Sequence, residues 1–215
     1  MLGIISSLLL LSGVLAQTFD PSAVSLNVTY SGNGCPQGSI STSFSPDRTA
    51  ITIGFDSVYL SIGPSSAAAL RSRNCAVHFQ LSYPPAWRFI VAGSRWHGYF
   101  ALDGGVSATL YTTYELRSVD LRVINVPTLN VTGDKYTTAG SEGALFDAES
   151  LIAAGDQIGS ICSSKGTSPT YSDVLDVRDR FALQANRAGA QQDGFTVEGT
   201  TFAQQIKLKW VACNY

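Results

Sequence analysis

Methionine is all but missing from this chain: the one Met among 215 residues is the first. Histidine is nearly as scarce, with His78 and His97 alone, so no His-rich ligand set exists and imidazole acid–base chemistry is confined to two positions. Charged residues make up 14% of the chain and the formal net charge is −2. Without a basic stripe to neutralise phosphates, nucleic acid is not an expected partner, and a membrane surface has no cationic patch to attract. No two cysteines form a C-x₂₋₄-C knuckle, which argues against structural zinc. No G-x-S-x-G occurs, which removes the nucleophile-elbow route to a serine hydrolase. The D-x-D-x-D-G grammar of an EF-hand loop is also absent, leaving Asp173, Asp176 and Asp179 as the one calcium candidate, and a weak one. Neither a metal nor a cofactor is expected.

What is present begins with an apolar run over residues 2–11, followed by Ser12, Gly13, Val14, Leu15 and Ala16. Val14 and Ala16 are small enough for the −3 and −1 positions of a cleavage site, so residues 1–16 read as a signal peptide and the mature chain is expected to start at Gln17. The run breaks after about ten residues, short of the roughly 18 to 25 that a membrane anchor needs. A start at Gln17 also lacks the N-terminal histidine that copper oxygenases of polysaccharides require. The expected address is secreted and extracellular, with no membrane association after cleavage.

Four cysteines then remain, and an even count in an exported chain implies two bridges among three connectivities. The pairing adopted is Cys35–Cys75 and Cys162–Cys213, which closes each half of the chain on itself. In the chain-entropy account each loop contributes about 4 kcal/mol. Asn27-Val28-Thr29 and Asn130-Val131-Thr132 are glycan-acceptor sequons, and Asn27 and Asn130 are therefore expected at the surface.

Period-two alternation dominates the pattern. Leu26, Val28 and Tyr30 alternate with Asn27 and Thr29, and Cys75, Val77, Phe79, Leu81 and Tyr83 alternate with Ala76, His78, Gln80 and Ser82. Pro46, Asp47 and Arg48 read as the turn of a hairpin joining 39–45 to 49–55. The inward set slips from Ile51, Ile53 and Phe55 to Val58, Leu60 and Ile62, which calls for a bulge or a short connection near Asp56 and Ser57. Further strands are expected near 87–91, 99–102, 106–116, 119–126, 158–162, 174–185, 195–197 and 202–210. Phe202, Ile206, Leu208 and Trp210 share one face of the last. Short strands at this spacing predict an all-β protein: an antiparallel β-sandwich, jelly-roll-like, spanning 17–215 as a single domain with at most one or two short helices. One helical turn is expected within 65–70. A short helix is expected over 147–155, where Asp147 would cap the start and Gly155 the end.

Six ordered blocks carry a family resemblance: residues 32–39 (Gly-Asn-Gly-Cys-Pro-Gln-Gly-Ser), 45–49 (Ser-Pro-Asp-Arg-Thr), 55–57 (Phe-Asp-Ser), 61–64 (Ser-Ile-Gly-Pro), 73–75 (Arg-Asn-Cys), and Gly98-Tyr99 with Leu102-Asp103. A looser echo returns around Cys162 and in 208–213. Together they resemble the secreted, mostly fungal domain-of-unknown-function family 4360. The resemblance implies an exported, β-rich protein with two cysteine pairs. It carries over no functional residue.

Candidate chemistry concentrates in 95–103, where Arg95, Trp96, His97, Tyr99 and Asp103 fall within one strand-turn stretch. His97 and Asp103 could serve as an acid–base pair, against the plainer reading of Asp103-Gly104-Gly105 as a turn. His78 reads as a solvent-facing side chain. Among Trp87, Trp96, Tyr99, Tyr111 and Tyr114, Trp87 is in phase with Phe89 and Val91 and so points inward. Trp96, between Arg95 and His97, is the better candidate of the two for an exposed platform that stacks a sugar, with core packing the favoured reading of the ring. The reading is a secreted or cell-wall-associated protein without recognisable catalytic machinery, binding a cell-wall polysaccharide or an extracellular protein through Trp96, His97, Tyr99 and Asp103. The alternative is an extracellular hydrolase of polysaccharide working through His97 and Asp103.

Overall fold

The computed structural model describes residues 18–56, 58–100, 102–118, 129–139, 144–162, 169–196 and 202–214. The signal peptide expected over 1–16 and the strand expected over 119–126 lie outside the described residues. Twelve strands appear in chain order: β1 (Ser25–Ser31), β2 (Ile40–Phe44), β3 (Ala50–Phe55), β4 (Tyr59–Ile62), β5 (Ser72–Tyr83), β6 (Trp87–Phe100), β7 (Val106–Ser118), β8 (Leu129–Ala139), β9 (Ala144–Leu151), β10 (Tyr171–Ala185), β11 (Gln192–Thr196) and β12 (Ala203–Ala212). The only helical pieces among the described residues are two 3₁₀ turns, Pro21–Ala23 and Ala68–Arg71.

The strands form two five-stranded antiparallel sheets. Sheet 1 has the order β1-β5-β10-β7-β8 and sheet 2 the order β2-β3-β12-β6-β9, while β4 and β11 pair in a small side sheet. The chain crosses between sheets repeatedly, so each sheet is built from both halves of the sequence. The chain is thus all-β, as its alternation requires. The slip near Asp56 resolves as a connection: β3 ends at Phe55 in sheet 2, and β4 starts in the side sheet.

The two inner faces meet over an aromatic cluster. Phe55 and Trp96 from sheet 2, with Phe202 just before β12, pack against Phe181 of sheet 1, and ring centroids lie 5.3 to 6.0 Å apart. All four side chains are buried, and truncating a ring of this kind typically costs about 3–5 kcal/mol. A polar seam crosses the same interior. Gln204 Nε2 of β12 donates to Thr112 Oγ1 of β7 at 2.9 Å, and Thr112 in turn donates to Asp179 Oδ1 of β10 at 2.7 Å. Buried polar groups are costly without partners, so this chain of bonds favours the one alignment of the sheets that sets Gln204 over Thr112. Two disulfides add covalent ties: Cys35 is bridged to Cys75 and Cys162 to Cys213, with Cα separations of 5.3 and 5.6 Å.

Two expectations are corrected. The short helix over 147–155 is instead β9, paired with β6, followed by a turn. The reason is tertiary: as a strand, the segment places Asp147 beside Arg95 and Glu149 beside Lys207, and such partners outweigh a weak helical propensity. The strand over 158–162 reduces to a single bridge between Gly159 and Ile90.

The third difference concerns phase. The pattern predicts separate strands over 87–91 and 99–102, whereas β6 runs through from Trp87 to Phe100 with a bulge inside it. Opposite β12, Leu208 pairs with Val91 and Lys207 with Gly93, so Ala92 is the extra residue. Gly93 has φ 157°, and a Cβ there would lie 2.3 Å from the Ser150 carbonyl oxygen, which is why the position takes glycine. One extra residue exchanges the faces of everything after it. Phe89 and Val91 point inward before the bulge; Ser94 and Trp96 do so after it, leaving Arg95 and His97 outside.

Candidate functional site

The bulge gives sheet 2 an outer face with an open groove of about 360 Å³, lined by Thr52, Arg95, His97, Asp147, Ala203 and Gln205. Cross-strand register builds it. His97 lies opposite Ala203 on one side and Asp147 on the other, and Arg95 lies opposite Gln205 and Glu149. Ala203 is small and leaves the hollow, while the longer side chains of the next row form its wall. Arg95 grips Asp147 as a fork: Nε reaches Oδ1 at 2.7 Å, and the second prong joins Nη2 to Oδ2. Lys207 and Glu149 make a second ion pair beside it. The hydrogen bond from Arg95 holds the Asp147 carboxyl below its ordinary value, and the same bond raises the Arg95 guanidinium. Both side chains are 48% exposed.

The residues singled out in sequence scatter. Trp96 takes its core-packing alternative and the platform role falls: its ring is fully buried against Phe55, Phe181 and Phe202 and offers no face to solvent. The cause is the phase switch at Gly93. His97 does face the groove. Tyr99 lies in β6 opposite Leu145, and its side chain is outside the described residues. Asp103 sits in the turn between β6 and β7, where its N–H donates to Gln192 Oε1 at 2.6 Å and its carbonyl accepts from Val106 N–H at 3.0 Å. It does not line the groove. The carboxylate that the fold brings opposite His97 is Asp147, not Asp103. Asn27 is exposed on edge strand β1, and Asn130 lies in β8 opposite Glu115 on β7.

Sequence reasoning missed a second charged assembly, on the outer face of sheet 1. Asp176 of β10 is completely buried there, accepting from Arg117 Nη2 at Oδ2 and lying 2.6 Å from His78 Nδ1 at Oδ1. His78 is thus a partly exposed side chain with a buried partner. The three aspartates of β10 separate by strand parity, with Asp173 and Asp179 on the core face and Asp176 on the outer face. Three carboxylates divided between two faces of one strand do not converge on one calcium ion. Asp173 instead accepts from Tyr83 Oη, and burial together with that carboxylate raises the Tyr83 phenol above its ordinary value. The inward position of Asp173 and Asp179 in the alternating 171–183 segment was the signal available in sequence.

The chain belongs to the family described as Domain of unknown function (DUF4360), whose profile matches residues 22–213. An "Uncharacterized secreted protein" of Arthroderma benhamiae is 28% identical over 176 residues, covering 74% of this chain and 72% of that one. Together with the two disulfides, this identifies the chain as a secreted, extracellular protein. Solved structures resemble it only faintly. TmCBM61 in complex with beta-1,4-galactotriose is 8% identical with a TM-score of 0.23, covering 86% of this chain and 88% of that one. The family 11 carbohydrate-binding module from Clostridium thermocellum, in complex with a beta-1,3-1,4-mixed-linked tetrasaccharide, is 10% identical with a TM-score of 0.20, covering 94% and 92%. At such scores neither likeness carries an argument about this chain.

Proposed function

We propose that this member of the DUF4360 family is an extracellular glycan-binding protein that holds its ligand in the groove on the outer face of sheet 2, without hydrolysing it. The observation that carries this reading is the composition of the groove. An exposed Arg95–Asp147 fork, His97, Thr52 and Gln205 stand on neighbouring strands over the small Ala203. A sugar hydroxyl both donates and accepts, and this wall alternates donors with acceptors. The groove is open at the surface, as a polymer passing across the sheet requires.

Hydrolysis is the weaker reading on chemical grounds. A glycosidase needs one carboxyl kept protonated as its acid, generally by a raised pKa. The carboxyl beside His97 is shifted the other way, held ionised by Arg95. Asp103, the other expected partner, sits in the turn between β6 and β7 and does not line the groove.

The test is retention on insoluble fungal and plant wall polysaccharides, followed by an array of soluble oligosaccharides. The double variant Arg95→Ala, Asp147→Ala is expected to lower affinity at least about tenfold while its circular dichroism spectrum stays that of the parent. Unchanged retention by that variant on every polysaccharide the parent binds would sink the assignment of the groove. Asn27, exposed on an edge strand, also suits a glycan acceptor. A secreted product whose mass changes on Asn27→Gln by no more than the one added methylene contradicts that role.

A further inference from the structure

A second hollow of about 360 Å³ lies on the outer face of sheet 1, and its chemistry differs from that of the groove. Strand β10 places Arg178 and Arg180 two residues apart on this face, both exposed. Register sets Arg180 between Asn74 of β5 and Tyr111 of β7, and Arg178 between Ala76 and Thr113. The short side chain of Ala76 leaves the depression, and Tyr111, half-buried, forms part of its wall.

The two arginines are differently employed. Arg178 Nη2 pairs with Glu115 Oε2 at 2.7 Å and lies 3.9 Å from Asp176 Oδ2, so its charge is answered within the sheet. Arg180 is fastened by Nε to Ser72 Oγ at 3.1 Å, and no carboxylate among the described residues pairs with it. One anchored nitrogen fixes the guanidinium and leaves its terminal nitrogens as donors. Asp179, which also borders the hollow, has its carboxylate committed on the core side to Thr112. On this face of β5, β10 and β7, Arg117, Arg178 and Arg180 stand against Asp176 and Glu115, an excess of positive charge on a chain whose net charge is −2.

We propose that this hollow binds an acidic sugar, with Arg180 taking the carboxylate and the Tyr111 ring packing against the apolar face of the sugar ring. A guanidinium presents paired N–H donors that match a carboxylate and are poorly matched by a lone hydroxyl. The aromatic ring supplies apolar area together with its own phenolic O–H, and Asn74 and Thr113 offer polar groups to the ring hydroxyls. This site is separate from the groove of sheet 2 and does not rest on the reading given to that groove.

Isothermal titration with glucuronate, glucose and inorganic sulfate at matched ionic strength tests it. Glucuronate is expected to bind, and glucose and sulfate each to bind at least about tenfold more weakly, the first lacking the carboxylate and the second the ring. Arg180→Gln and Tyr111→Ala are each expected to weaken glucuronate binding about tenfold or more, with Arg180→Lys falling between Gln and the parent. The proposal is overturned if the parent fails to bind glucuronate, if glucose or sulfate binds as tightly, or if Arg180→Gln binds as the parent does.

Discussion

On the outer face of sheet 1, the Asp176 carboxylate has no exposed surface and is met by both His78 and Arg117; on the outer face of sheet 2, the Asp147 carboxylate is 48% exposed and is met by Arg95. Both pairs join a β-strand aspartate to arginine on a neighbouring strand, yet they do different work. A buried carboxylate that loses its cations is left uncompensated in a poor solvent, so Asp176 is bound to its surroundings. An exposed pair exchanges readily with water, so Asp147 and Arg95 can release each other to a ligand at little cost. The difference teaches where this molecule has polar groups to spare.

The comparison can be broken or sharpened by mutation. The largest effect is expected from Trp96→Ala, which removes a ring packed between the two sheets and is predicted to cost about 3–5 kcal/mol by denaturant unfolding. A cost below that of the polar variants would show that the sheets do not depend on this contact. Asp176→Asn is expected to cost about 1.5–3 kcal/mol, because it strips the charge from a buried acceptor of two hydrogen bonds. Gly93→Ala is expected to cost about 1–3 kcal/mol, since a left-handed backbone and the Ser150 carbonyl both resist a Cβ. Asp147→Asn is expected to have the smallest effect of the four, because an exposed ion pair exchanges its partner for water. If it costs as much as Asp176→Asn, exposure is not what separates the two sites.

The pH dependence follows the same division. The lowered Asp147 value means that its contribution is complete above the ordinary 3.8 and is lost as pH falls through the folded value. Carbon-detected titration should therefore place its midpoint below 3.8. Tyr83 behaves oppositely: its raised value leaves the folded phenol neutral while the unfolded one ionises, so stability should fall as pH rises past 10.0.

Much of the architecture is legible in the sequence, because a sandwich strand has to alternate. The segments 26–30 and 75–83 alternate without interruption and lie in β1 and β5, and 203–210, which lies in β12, alternates apart from the inward Gln204. The site was harder to read, for two physical reasons. The phase of β6 depends on one extra residue, and no local pattern announces which way Trp96 and His97 face after it. The identity of β9 depends on Arg95 and Lys207, each more than fifty residues away in sequence. Asp147 looks like a helix cap until its partner is known. The Asp176 assembly was hidden for a related reason, since an outward aspartate on an alternating strand ordinarily signals solvent, and only the neighbouring strands enclose it.

The bulge at Ala92 and Gly93 also bears on how this surface can change over generations. Point substitutions can recolour the groove one side chain at a time, but they leave untouched the choice of which residues belong to it. Deleting Ala92 would behave like a frameshift in three dimensions, sending Trp96 to water and carrying Arg95 and His97 inward together. The outer groove and the aromatic interior of β6 are therefore coupled as one unit, and loss of the extra residue would undo both at once.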